Sequence, residues 1–266
     1  EQLCRTLDHG GIRTTVTSSD VRLATRLYGA CAGCAAGKSR QMTTGGQYNT
    51  ADKVGQHLHA DIVYVPTSKG KSSLFHLSVD EFCTDIKIYP LEDQTAASLH
   101  KVQKQLINHY RTHGHWVEKL FYDDGSNIKA TESALNEMKV KLSQAPAMEH
   151  DKHAESAFRT IKSTMRAIIS TLPYMLPLAL LKYLVQDICT TRSMVTTTNS
   201  GHQTPYQLVR GGESVDYAST LRFGFGTIVQ FHDTTHGKTL GPCVTYGIVI
   251  GRDVERPGKM TVWVMS

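Results

Sequence analysis

Residues 57–65 read His57-Leu58-His59-Ala60-Asp61-Ile62-Val63-Tyr64-Val65 and stop at Pro66. The run passes from alternating polar and apolar residues into a β-branched and aromatic block, which predicts a strand with Asp61 inside or beside it. After Pro66, a Gly/Lys/Ser turn over 68–73 leads into two more predicted strands, 73–82 and 85–89, giving an antiparallel meander. Leu99, Val102, Leu106 and Tyr110 then recur at helical spacing within a helix from Asp93 to His113. Residues 116–122 form a further strand that delivers Asp123 at its end; 131–138 is a short helix, and 140–145 a strand closed by Pro146. Helical patterns follow over 153–170 and from Pro177 to Cys189. Strands at 226–231, 244–250 and 259–264 end the chain. This order predicts an α/β core, a mixed five-stranded sheet flanked by helices, followed by a small all-β module.

The divisions follow the composition: an N-terminal module over 1–40, a polar linker over 41–55, a core over 56–210 and a C-terminal β module over 211–266. The 266 residues are 40% hydrophobic and 20% charged, which supports a real core and excludes a disordered chain or a small disulfide scaffold. The longest apolar stretch, 176–185, holds Pro177 and Lys182 and is too short to cross a bilayer, so no membrane partner is expected. No secretory leader pattern opens the chain, which begins at Glu1 rather than Met, as a piece of a longer product would. The formal charge of +5 divides as +3 over 1–55, +2 over 56–210 and zero over 211–266. Contact with a nucleic acid must therefore come from local placement of cations, not from bulk charge.

Three acids lie where chemistry needs them. Asp61 is on the first core strand, Asp123 ends a later one beside Gly125, which permits a tight exit, and Glu155 opens a helix. Three converging carboxylates would repel one another without cations, so two hard divalent ions are their natural complement. Such a pair can activate an attacking oxygen and stabilise a leaving one in phosphoryl transfer. Arg159, Lys162 and Arg166 follow Glu155 at i+4, i+7 and i+11 and share its helical face, while Ala154, Phe158, Ile161 and Met165 supply the apolar face. Two readings of that polar stripe stand level: an acid followed by three cations that grip a phosphate backbone, or a solvated face with a Glu155–Arg159 ion pair. The acidic cluster Asp80, Glu81 and Asp85 reads as a turn cap or as local pairing. His59 alternates with Asp61 on one strand face, in a structural role close to it. His109, His113 and His115 read as a solvated helix end, and Trp116 and Trp263 as core.

Cys83, Cys189 and Cys243 are widely spaced and read as buried or reduced thiols. Cys31 and Cys34 form a C-x-x-C knuckle that can fill two corners of a zinc tetrahedron, and the spacing is equally open to redox chemistry or to no function. Cys4 and His9 upstream would complete a four-ligand Zn²⁺ set.

Several segments, taken together, resemble a known family. His59-Ala60-Asp61, Tyr122-Asp123-Asp124-Gly125-Ser126-Asn127 and His153-Ala154-Glu155-Ser156, in a helix that continues Arg159-Thr160-Ile161-Lys162, resemble the D,D-E motifs of retroviral-type integrases. The run from Ser68-Lys69-Gly70-Lys71 through Leu77-Ser78-Val79-Asp80-Glu81-Phe82 to Tyr89-Pro90-Leu91, and Gln203-Thr204-Pro205-Tyr206-Gln207-Leu208, look like the integrases of copia-type LTR retrotransposons. The ordered match runs from about residue 9 to residue 231. The resemblance implies an RNase H-like core in which Asp61, Asp123 and Glu155 hold two Mg²⁺ or Mn²⁺ ions. It implies trimming of the element's 3′ DNA ends and their joining to target DNA, with double-stranded DNA and further copies of the chain as partners. A His-His-Cys-Cys zinc module, nuclear action and assembly as part of a polyprotein in cytoplasmic particles are implied too. The alternative is an inactive or domesticated integrase-derived DNA-binding or assembly protein.

The sequence departs from that pattern in places. The interval between Asp123 and Glu155 is shorter than the family's, Asp124 stands beside the second acid, and Cys4 stands where the first zinc histidine belongs.

Overall fold

The computed structural model describes residues 2–29, 51–123, 125–144, 152–197, 200–232, 244–252 and 259–264. Cys31, Cys34, Asp124, Cys243 and most of the 41–55 linker lie outside them. At the N-terminus, α1 (Gln2–Asp8) and α2 (Ser18–Tyr28) flank the two-residue strand β1 (Ile12–Arg13). A capping box starts α2: Thr17 Oγ1 accepts the Asp20 N–H, and the Asp20 carboxylate accepts the Thr17 N–H.

The core follows as β2 (His57–Ser68), β3 (Lys71–Asp80), β4 (Ile86–Leu91), α3 (Ala96–Thr112), β5 (Lys119–Tyr122), α4 (Ser126–Lys129), α5 (Glu132–Glu137), β6 (Lys141–Gln144), α6 (Lys152–Ile169) and α7 (Leu181–Ser193). The strands assemble in the order β4-β3-β2-β5-β6. β3 lies antiparallel to both β2 and β4, whereas β5 runs parallel to β2 and to β6. This is the mixed five-stranded sheet expected from the sequence. The first hairpin turns at Gly70, whose φ of +75° suits a residue without a Cβ. β2 runs past Pro66, where it was expected to stop. A register shift between Pro66 and Ser68 accommodates a residue that cannot donate to the ladder.

Strand alternation divides the core into two layers. On one face Leu58, Ala60, Leu120 and Tyr122 pack against Leu99, Leu106 and Tyr110 of α3 and Leu135 of α5. On the other, Val63, Val65, Phe75 and Leu77 pack against Ala157 and Ile161 of α6 and Leu184, Val185 and Ile188 of α7. Full burial of each large apolar side chain is worth about 1.5–3 kcal/mol. Thr95 begins α3 by accepting the Ser98 N–H, so that helix opens later than the expected Asp93.

α8 (Pro205–Val209), β7 (Val215–Asp216), a π-turn over 217–221, β8 (Ile228–His232), β9 (Val244–Arg252) and β10 (Met260–Val264) complete the order. β8, β9 and β10 make a separate antiparallel sheet, and Ile248 and Ile250 of β9 join the α6–α7 cluster. β1 pairs in parallel with β7. Two expectations about the core are overturned. Trp116 is 66% exposed beneath the Arg111 guanidinium, and Trp263 is 39% exposed. Neither indole is enclosed by the packed layers.

Candidate active site

β2 and β5 supply the two aspartates. The parallel register matches His57 with Lys119 and His59 with Phe121. The last matched residues, His59 and Phe121, each stand two before an acid, Asp61 within β2 and Asp123 just past the end of β5, and strand alternation assigns Asp61 to the face of His59. That is the face covered by α6. Glu155 lies in the first turn of α6, and Ala154, Ala157 and Ile161 seat the helix on the sheet. Asp61 thus lies within β2, Asp123 directly follows β5, and Glu155 lies in the first turn of the helix packed on that face.

Their carboxylates have local partners as well. Asp61 Oδ1 accepts the Ile62 N–H at 2.7 Å. Glu155 Oε1 accepts from Arg159 at 2.6 Å, with side chains 58% and 51% exposed. Of the two readings of the polar stripe, the ion pair is thus present. Lys162 lies over the Phe158 ring at 4.2 Å, and Arg166 is exposed on the same helix. The three carboxylates do not form a group within 4.8 Å of one another, a distance met among the described residues by His59, Glu81 and His153.

Buried polar bonds hold the surrounding backbone. Tyr122, next to Asp123, is pinned through its hydroxyl, which accepts from Gln103 Nε2 at 3.1 Å and bonds His76 Nε2. Burial pushes the His76 pKa down to about 4 and raises that of Tyr122. Beyond Asp123, Asn127 Nδ2 donates to Gln94 O at 2.8 Å, and Gln94 Nε2 donates to the Tyr64 hydroxyl. These bonds tie α4 to the β4–α3 loop and to β2. Gln94 and Tyr64 carry no sequence signal, since nothing in their spacing announces the contact.

The acidic cluster between β3 and β4 behaves as a cap and a set of local pairs. Asp80 accepts the Gly55 and Cys83 N–H groups, and Asp85 pairs with Lys87 at 3.0 Å. Glu81 accepts the Ala51 N–H at 3.3 Å and contacts His57 Nδ1 at 3.0 Å and His59 Nε2 at 3.2 Å. His153 packs tilted against His59, with ring centroids 4.1 Å apart and 33° between the planes, and Phe121 stacks on the same imidazole at 4.7 Å. The helix end at His109–His115 is less solvated than expected. Burial pushes the His109 pKa down to about 3, and His115 Nε2 bonds Val209 O at 2.9 Å.

The expected zinc ligands fall in two places. Cys4 is buried with its thiol 3.9 Å from Ser18 O, and His9 Nε2 lies 2.8 Å from His202 Nδ1. Their expected companions, Cys31 and Cys34, are outside the described residues. No helix among the described residues is long and apolar enough to cross a membrane.

No protein-family profile and no curated protein matches the sequence. Solved structures do. The simian T-cell lymphotropic virus intasome, in complex with the PP2A regulatory subunit B56 gamma, matches over 100% of this chain and 95% of that one, with a TM-score of 0.52 at 12% identity. The HTLV-2 integrase catalytic core domain in complex with magnesium (trimeric form) matches over 59% of this chain and 97% of its own, at 15% identity and a TM-score of 0.46. The BIV integrase catalytic core domain covers 58% of this chain and 93% of its own, at 14% identity and a TM-score of 0.43. At these identities the likeness is one of fold: a mixed five-stranded sheet with flanking helices, RNase H-like as in integrase cores.

Proposed function

We propose that this chain is a metal-dependent polynucleotidyl transferase, the integrase of a copia-like retroelement, that trims the element's 3′ DNA ends and joins them to target DNA. The observation that carries this reading is the parallel pairing of β2, which bears Asp61, with β5, which Asp123 follows, on a sheet covered by the helix that bears Glu155. An all-oxygen donor set suits hard divalent ions, and the HTLV-2 core that shares the fold was solved with magnesium. Asp61, Asp123 and Glu155 would hold the two Mg²⁺ or Mn²⁺ ions. When bound, that pair supplies Lewis-acid stabilisation of the entering and leaving oxygens.

The remaining work falls to the protein. Lys162 and Arg166 lie along α6 where a phosphate backbone can follow the helix, and Arg159 joins them once Glu155 turns from it toward the aspartates. The Tyr122 and Asn127 bonds hold the β5 exit in place, so that Asp123 need not be ordered during the reaction. Zinc ligation by Cys4, His9, Cys31 and Cys34, a core over 56–210 between the two smaller modules, action in the nucleus and assembly of several copies on DNA belong to the same proposal. The competing reading, an integrase-derived DNA-binding or assembly protein without activity, draws on the Glu155–Arg159 ion pair.

A joining assay with a labelled DNA duplex, supercoiled plasmid and Mn²⁺ separates the two. The enzyme joins strands, and Glu155→Gln reduces joining by more than about 100-fold. Absence of joining by the intact chain, with DNA binding retained and unchanged in Glu155→Gln, supports the competing reading and rejects the first.

A further inference from the structure

We propose that His59, Glu81 and His153 form a site for one transition-metal ion, Zn²⁺ by preference, that fastens the start of α6 to the central strand of the sheet. The three residues come from three elements: β2, the turn after β3, and the first turn of α6. One ligand atom from each lies within 4.8 Å of the other two. His59 Nε2 and Glu81 Oε2 are 3.2 Å apart. A tetrahedral ion with bonds of about 2.0–2.2 Å needs its ligand atoms separated by about 3.3–3.5 Å, slightly more than this pair shows, so a small opening of the contact would admit the ion. The His153 ring lies beside that of His59, with centroids 4.1 Å apart and the planes tilted by 33°. It is only half-buried, so a small rotation closes the remaining distance without repacking the core.

The supporting residues suit a metal site. His57 Nδ1, 3.0 Å from Glu81 Oε2, orients the carboxylate from outside the ligand set, and Phe121 stacks flat on the His59 imidazole and holds its plane. Glu81 and His59 are 3% and 9% exposed, so the ion would meet solvent mainly on the His153 side. Two imidazoles and one carboxylate favour Zn²⁺, Co²⁺ or Ni²⁺ over Mg²⁺. This separates the site chemically from the all-oxygen set of Asp61, Asp123 and Glu155 next to it. His59 precedes Asp61 by two residues on one strand face, and His153 precedes Glu155 by two on one helix. An ion joining the two histidines would therefore set the distance between the elements that carry those acids. The site stands on its own geometry; only this consequence for Glu155 rests on the proposed function.

The test is Co²⁺ uptake by the full chain, read in the visible and near-ultraviolet without DNA. The His/Glu site takes up one equivalent with visible d–d bands and no thiolate charge-transfer band. That equivalent is lost in His153→Ala and retained in Cys31→Ser, while His57→Asn weakens it about 10–100-fold. His153→Cys retains uptake and adds a thiolate band, which identifies position 153 as a ligand. Circular dichroism verifies that each variant is folded, which the half-exposed position of His153 favours. Equal uptake by the parent and His153→Ala, or loss of every band in Cys31→Ser, overturns the proposal. Inactivity in the joining assay leaves uptake unchanged, so failure of the catalytic reading is distinguishable from failure of this one.

Discussion

Asp80 is buried with its carboxylate facing the Gly55 and Cys83 N–H groups, and burial pushes its pKa up to about 6 against the pull of those bonds. His76 and His109 shift the other way, down to about 4 and about 3, because burial disfavours the imidazolium. The signs oppose. A native state that holds the Asp80 proton more tightly loses stability as pH rises from 3.8 toward about 6. Histidines kept neutral lose it as pH falls below 6.5, because the unfolded chain then binds protons that the native chain refuses. Each fully shifted group contributes up to about 1.4 kcal/mol per pH unit. His109→Gln should therefore make the acid loss shallower by up to that amount between about pH 6 and about pH 4.5, in urea titrations repeated across pH. An unchanged slope would place His109 in water. At this scale the sequence identified the acidic residues well and the histidines poorly. Asp80 follows its strand into a turn, where a capping carboxylate is ordinary, but the burial of His109 depends on elements far away in the chain.

Gly226 shows what an element boundary can demand. It precedes β8 with φ of +85°, and a Cβ there would meet Leu172 Cδ2 at 2.4 Å. The Tyr174 hydroxyl donates to its carbonyl at 2.7 Å, so the loop after α6 is clamped to the entrance of the C-terminal sheet. Gly226→Ala should cost about 2–4 kcal/mol from the disfavoured φ and overpacking together, read as a lower Tm with the helical content retained. No change in Tm would show that the loop yields freely. Helix α6 was legible almost to the residue, since its apolar positions repeat at helical spacing and its polar stripe is unbroken. Trp116 was not. Hydrophobicity alone does not say whether an indole lies within a layer or over an arginine at its rim.

Across the whole molecule, one buried ion pair couples the C-terminal sheet to helix α7 of the core. Arg252 of β9 donates from Nε to Asp187 Oδ1 at 2.9 Å and from a terminal nitrogen to Oδ2 at 3.2 Å, with both side chains 4% exposed. Burial raises the Asp187 pKa and the arginine opposes it. Arg252→Met strands a buried carboxylate and should lower unfolding free energy by about 3–5 kcal/mol, whereas adding Asp187→Leu should restore most of the loss, as measured by urea unfolding. A single variant as stable as the parent would mean that water reaches the pair. At the other end of the chain, β1 lies beside β7, and Thr6 Oγ1 accepts the buried Thr196 N–H at 2.9 Å. Both chain ends thus bond to segments that follow α6.

Periodicity and punctuation along the chain determined the alternation of strands and helices, because those signals are local: Pro and Gly at turns, caps before helices, apolar residues at a period of two or near four. They also singled out Asp61 on the first core strand, Asp123 at the end of a later one and Glu155 at the start of a helix. Only the tertiary structure decided that β5 pairs in parallel with β2, that Glu155 pairs with Arg159, and that His59, Glu81 and His153 meet. The last group depends on the register of β2 against β3 and on where α6 docks. Register and docking are settled by the packing of side chains distant in sequence, and no local pattern encodes them.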